Sequence, residues 1–132
     1  MIEKDFEKRL LYNLKRRGFF AKHTEILHMP GWPDLMLVKN NKAMFIELKM
    51  CGLNTKIKFR DIQIPFILDL LNYTKKVLLA VKEKGLQKYH YGYITREMLE
   101  SIMCGVKLKD LELQSGVEIR ALVDYVNKEI EK

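Results

Sequence analysis

Between Glu3 and Arg17, Phe6, Leu10, Leu11 and Leu14 recur at helical spacing with charged residues filling the gaps. That pattern predicts an amphipathic helix. Gly18 follows where a C-cap belongs. The pattern turns extended from Phe19 to Leu27 and is interrupted by a turn at Met29-Pro30-Gly31. Leu35 to Val38 is a short apolar run, and Asn40-Asn41 predicts a hairpin turn into a strand, Ala43 to Met50, whose side chains alternate between the two faces. A basic connection, Asn54 to Arg60, leads to a second helix over Asp61 to Asn72. Pro65 is tolerated there because amides in a first helical turn lack partners anyway. Val77 to Val81 is continuously apolar and reads as a buried strand, and Lys88 to Ile94, with Tyr89, Tyr91 and Tyr93, as an edge strand. Thr95 is placed to cap a short helix. Ser115 with Glu118 makes a capping-box pattern before a final amphipathic helix ending near Glu131.

The order is helix, three strands, helix, strand and a helical tail, which is an α/β or α+β sheet domain whose fourth strand is reached by a crossover. With 132 residues the chain has room for one core. The expectation is a single domain over residues 1–132, with its core at about 3–82 and an extension over 83–132.

Composition narrows the partners. Twenty-four basic against seventeen acidic residues give a formal charge of +7 and a pI near 9.4, an excess that favours an anionic partner such as nucleic acid. No apolar run approaches the ~20 residues needed to span a bilayer, and the N-terminal residues do not read as a secretory signal. Cys51 and Cys104 lack a CxxC spacing and read as free thiols in a reducing cytoplasm, the bacterial or viral-host cytoplasm being the expected location. His23, His28 and His90 carry no zinc-ligand spacing. The three tyrosines read as one face of an amphipathic strand rather than as a base-stacking platform. No Walker A lysine loop is present, so no ATP-driven step is expected.

The chemistry concentrates between Gly31 and Met50. Side chains alternate across a strand, so Phe45, Glu47 and Lys49 share one face and Met44, Ile46 and Leu48 the other. Asp34 begins the preceding strand, and a hairpin through Asn40-Asn41 brings its carboxylate toward Glu47. Two converging carboxylates suit a hard, oxygen-seeking ion such as Mg²⁺. A lysine beside them is placed to orient a water or stabilise its hydroxide. Just downstream, Lys56, Lys58 and Arg60 are candidates to grip phosphates, with a solvated loop as the plainer alternative.

Pro33-Asp34 and Glu47-Leu48-Lys49, with a dozen residues between the acids, resemble the signature of the PD-(D/E)xK nuclease superfamily. Gly31 ahead of Pro33-Asp34, and Gln63 opening the helix after the Glu-x-Lys strand, resemble its VRR-NUC group, to which archaeal-type Holliday junction resolvases are related. Glu7 and Gly18, eleven apart, have the spacing of the resolvase N-terminal helix. The resemblance covers roughly residues 3–82. It implies a restriction-endonuclease-like αβββαβ core with a mixed central sheet, followed by a C-terminal helical segment. It also implies metal ligation by Asp34, Glu47, Glu7 and the Leu48 carbonyl, water activation by Lys49 and a site role for Gln63. Glu3, one helical turn before Glu7, is a rival for the third acid. The implied activity is Mg²⁺-dependent (or Mn²⁺-dependent) endonucleolytic cleavage of DNA, structure-selective for branched or junction DNA, by a homodimer. A flap or duplex nuclease of the same fold, a basic nucleic-acid-binding module without catalysis, and an assembly partner remain alternatives.

Overall fold

The computed structural model describes residues 2–24 and 30–132, and of Ile2 and Glu3 the backbone alone. Helix α1 (Ile2–Arg16) leads to strand β1 (Phe20–His23), β2 (Leu35–Lys39) and β3 (Lys42–Cys51). Helix α2 (Gln63–Leu70) then crosses to β4 (Val77–Glu83), followed by β5 (Lys88–Tyr93) and α3 (Arg96–Met103). A 3-10 turn (Leu108–Asp110), β6 (Gln114–Val117) and α4 (Ile119–Ile130) complete the chain. The strands form one sheet in sequential order, with β3 and β4 parallel and every other neighbouring pair antiparallel.

Local chemistry explains the first half. Phe6, Leu10 and Leu14 are buried, as the helical spacing predicts, and Gly18 leaves the helix at φ +86°. The β2–β3 hairpin turns through Asn40 (φ 53°) and Asn41 (φ 64°), the left-handed pair that a two-residue type I′ loop requires. The expected extended stretch holds as far as β1. Its continuation to Leu27, and Met29 of the turn, lie outside the described residues.

The sheet is covered on both faces. On one, α1 and α4 pack Phe6, Leu10, Leu14, Leu122 and Val126 against Met44, Ile46, Leu48, Leu78 and Ala80. On the other, α2, α3 and the connection after β3 pack Ile67, Leu99, Ile102, Ile57 and Phe59 against Val77, Leu79 and Val81. Burial on both faces is why Val77 to Val81 is an unbroken apolar run.

The C-terminal half departs from expectation in two places. Residues 83–132 are more than a helical tail: the strand expected from Lys88 forms as β5, and an unexpected sixth strand, β6, pairs beyond it. Strand β5 is therefore interior, flanked by β4 and β6, and Tyr89 and Tyr91 point into the core of the α1/α4 face. The Ser115/Glu118 capping box does not form. Gln114–Val117 is strand β6, and Glu118 stands at the helix N-cap with φ 70° and no side-chain capping bond. Pairing with β5 takes up the backbone groups that a capping box would have engaged. Thr95 caps α3 as expected, its hydroxyl accepting from the Met98 amide.

Gly116 is the point where α4 closes on the sheet. A methyl group there would sit 2.5 Å from Ala121 Cβ and 2.7 Å from the Tyr91 hydroxyl. Gly116→Ala is therefore expected to destabilise the fold by about 1–3 kcal/mol through overpacking, measured by urea denaturation of the whole chain.

Candidate active site

The register of the hairpin creates the site. Leu35 pairs with Ile46, so one step further Asp34 lies across from Glu47. Asp34 Oδ2 accepts the Leu48 amide at 2.8 Å, which fixes its carboxylate against β3. Alternation along β3 sends Met44, Ile46 and Leu48 to the α1/α4 core and Glu47 and Lys49 to the opposite face, under α2.

Glu47 is 1% exposed, which is unusual for a carboxylate. Its Oε2 accepts from Gln63 Nε2 at 2.7 Å and lies 3.1 Å from Lys49 Nζ. Gln63, at the start of α2, is also buried, and its Oε1 accepts from Lys49 Nζ at 3.2 Å and from the Arg60 amide at 2.9 Å. One amide thus ties the acid, the lysine and the entry to α2 together. The ammonium of Lys49 sits 4.6 Å from the centroid of Phe59, a cation–π contact that limits where it can swing.

A second clamp holds the Asp34 loop to the same helix. Trp32 packs against Phe45 at 5.5 Å and Phe66 of α2 at 5.1 Å between ring centroids. Gly31, at φ +94°, lies so close to α2 that a Cβ would meet Phe66 Cβ at 3.0 Å. Glycine is required there for both its dihedral and its size.

Comparison with known protein families finds no match, and comparison with curated proteins finds none either. Among solved structures, the chain is similar to Archaeoglobus fulgidus Hjc, a Holliday junction resolvase from an archaeal hyperthermophile. The TM-score is 0.51 at 15% identity, over 82% of this chain and 93% of that one. The two proteins share a fold. It is the restriction-endonuclease-like α/β arrangement with a mixed central sheet that the motif led us to expect, here six-stranded with helices on both faces.

Helix α1 carries Glu7 to the end of β1, where its Oε1 lies 3.9 Å from His23 Nδ1. His23 pairs with Leu35, the neighbour of Asp34. Among the described residues no three His, Cys, Asp or Glu side chains gather into a metal-holding group. The rival side chain, Glu3, and His28 lie outside what is described. Lys56, Lys58 and Arg60 are exposed. His90 belongs elsewhere, its Nε2 2.6 Å from Glu83 Oε1.

Sequence reading missed Thr24 and Phe59. The Thr24 hydroxyl donates to the Pro33 carbonyl and its amide to the Asp34 carbonyl, so it pins the loop from the β1 side. Nothing in the sequence marks it. Phe59 had a signal, since Ile57 and Phe59 alternate with the charges of the basic connection.

The electrostatics favour a cation. Burial, and secondarily the negative charge of Asp34, push the Glu47 carboxyl up to about 7, against the opposing pull of Lys49 and Gln63. Its Oε1 is buried without a hydrogen-bond partner, the one such side-chain atom among the described residues. Buried polar atoms are almost always satisfied. Two neighbouring carboxylates, one of them with a buried unsatisfied oxygen, fit a hard divalent ion, and Asp34 and Glu47 are the residues that would hold it. The Leu48 backbone between Glu47 and Lys49 is adjacent, its amide already engaged by Asp34.

A folded-state value near 7 against an ordinary 4.5 means the native protein binds more protons between those pH values. Metal-free stability is then expected to fall as pH rises from about 4.5 to 7. Glu47→Gln, which removes the ionisation, is expected to stabilise the metal-free protein at pH 8 by on the order of 3 kcal/mol. Thermal melts in a chelator across pH 5–8 would show the gap between variant and wild type widening with pH, and a constant gap would refute this electrostatic account.

Proposed function

We propose that this chain is a metal-dependent DNA endonuclease of the PD-(D/E)xK superfamily, in its VRR-NUC group, and hydrolyses phosphodiester bonds in branched DNA. The observation that carries the reading is the buried, unpartnered Glu47 Oε1, set across a hairpin from Asp34 with Lys49 alongside. The shared fold with a junction resolvase supports it, as does the net charge of +7.

Asp34 and Glu47 are the ligands in this reading, with the Leu48 carbonyl as a backbone contributor and Glu7 as the third acid. A bound Mg²⁺ (or Mn²⁺) supplies Lewis acidity to the phosphate and to the attacking water. The protein's own residues do the rest. Lys49, held by Gln63 and by the Phe59 ring, donates a hydrogen bond to the water and stabilises the hydroxide as its proton leaves. Gln63 is a positioning residue that keeps Glu47 and Lys49 in register without touching the phosphate. Water attacks phosphorus in line and the 3′-oxygen departs, leaving a 5′-phosphate and a 3′-hydroxyl. Lys56, Lys58 and Arg60 grip the backbone beside the cut, and a homodimer presents two such sites to two strands.

Labelled duplex, flap and four-way-junction DNA, each incubated with Mg²⁺ or Mn²⁺, test this. Wild type is expected to make paired cuts in the junction, and Asp34→Ala and Lys49→Ala to lower the rate roughly 10²-fold or more. Preference for flaps or duplex with the same mutant losses would keep the chemistry and change the substrate. Salt-sensitive DNA binding without cutting under either ion would replace the reading with a non-catalytic basic module.

A further inference from the structure

The connection from β3 to α2 runs extended past the active site with alternate burial: Ile57 and Phe59 enter the core, while Lys56, Lys58 and Arg60 face solvent. It is tied along its length to a segment of the C-terminal half, residues 104–110, which the motif resemblance does not reach. The Ile57 amide donates to the Val106 carbonyl at 3.0 Å, Leu108 to Thr55 at 3.1 Å and Lys109 to Leu53 at 3.0 Å. Within this strap Leu108 is buried, and Lys107 and Lys109 on either side of it are exposed. Both segments thus turn charge out and apolar side chains in, the first by extended alternation and the second by the 3-10 turn that follows Lys107.

Lys56 and Lys107 are directly opposite each other in an isolated antiparallel bridge. Like charges facing across a strand pair are destabilising. No acid occurs between Asn54 and Arg60 or between Cys104 and Lys109; Asp61 and Asp110 stand just beyond the two segments, and Asp61 lines one cavity with Lys56 and Lys58, so the lysines outnumber the acids on this surface. An anionic ligand lying across both ribbons would relieve that repulsion. The patch also has a direction. It starts at Arg60, whose amide is 2.9 Å from Gln63 Oε1, and runs back to Lys56 over about 13 Å of extended chain. Along one DNA strand that length faces about four phosphates.

We propose that Lys107 and Lys109, together with Lys56 and Lys58, form one site for the sugar–phosphate backbone of DNA, leading away from the catalytic residues. The C-terminal half thus supplies part of the DNA-binding surface. This rests on the nuclease reading given above and assigns its ligand surface to residues outside the catalytic motif.

The test is binding of fluorescein-labelled duplex and four-way-junction DNA in EDTA, titrated over a range of salt concentrations. Each phosphate contact contributes ~0.9 to the slope of log affinity against log salt. The variant Lys107→Gln/Lys109→Gln is therefore expected to bind more weakly at low salt and to lower that slope by about 1.8, so that it loses roughly tenfold less affinity than wild type between about 50 and 200 mM salt. Arg120→Gln/Lys128→Gln, which removes the same charge from exposed positions of α4, is expected to leave the slope at the wild-type value. Thermal melts check that both variants fold, which their solvent-facing positions favour. If the two variants shift the slope equally, or neither shifts it, the proposal is overturned, and junction cutting by wild type in Mg²⁺ would still leave the nuclease reading standing. A wild type that neither binds nor cuts DNA sinks both.

Discussion

Most of the site's architecture follows from placing one carboxylate, Glu47, inside the layer between the sheet and α2. A buried ionised acid is tolerated only with partners that offset its lost hydration. Gln63 and Lys49 occupy one of its oxygens, and Asp34 adds a like charge from across the hairpin. The remaining oxygen faces no donor. Each neighbouring feature then acquires a reason. Helix α2 must begin with a residue able to donate to Glu47 and accept from Lys49 at once, which an amide does and neither a carboxylate nor an ammonium can. The chain entering α2 must deliver the Arg60 amide to that same glutamine.

The constraint also explains why the loop before β2 is so tightly held. Two carboxylates that repel each other stay opposed only if the backbones carrying them cannot yield. Asp34 is fixed by the Leu48 amide and, through its backbone, by Thr24, while Gly31 and Trp32 press against Phe66. These contacts come from β1, β3 and α2, so the site is braced by elements on several sides and its geometry belongs to the whole fold. Storing electrostatic strain at a site and offsetting it with surrounding packing is a common arrangement where function needs pre-organisation.

What the sequence revealed and what it hid divide along the range of the interactions involved. The Asn40-Asn41 hairpin, the alternation of β3 and the run Val77 to Val81 are written in local periodicity, and from them the pairing of Asp34 with Glu47 followed. Strand β6 is not legible that way. Gln114-Ser115-Gly116-Val117 has no apolar alternation and only Gly116 is partly buried; its partner β5 and the close approach of α4 hold it in place. The Ser115/Glu118 pattern offered a local capping solution, and tertiary pairing overrode it. Thr24 was invisible for a related reason, because its partners, Pro33 and Asp34, become neighbours only once β1 and β2 have paired. Spacing along one helix does not fix which end of which strand Glu7 meets; pairing of the helix with the sheet sets that, and it brings Glu7 to His23 at the end of β1.

The division of labour between the two halves of the chain follows from the same physics. Residues up to Glu83 contain every group assigned to catalysis, but the loop carrying Lys56, Lys58 and Arg60 would have few backbone partners within that half alone. An extended ribbon with unpaired amides is mobile, and mobile lysines lose side-chain and backbone freedom each time a ligand orders them. Residues 104–110 donate and accept along that ribbon, and Ile57, Phe59 and Leu108 bury beneath it. The strap therefore removes in advance an ordering cost that the proposed ligand would otherwise have to meet. Because Phe59 lies under the Lys49 ammonium and the Arg60 amide bonds Gln63, whatever steadies the ribbon also steadies the lysine beside the paired acids. The C-terminal half, although remote in sequence from the motif, is thereby coupled to the geometry on which the proposed hydrolysis depends.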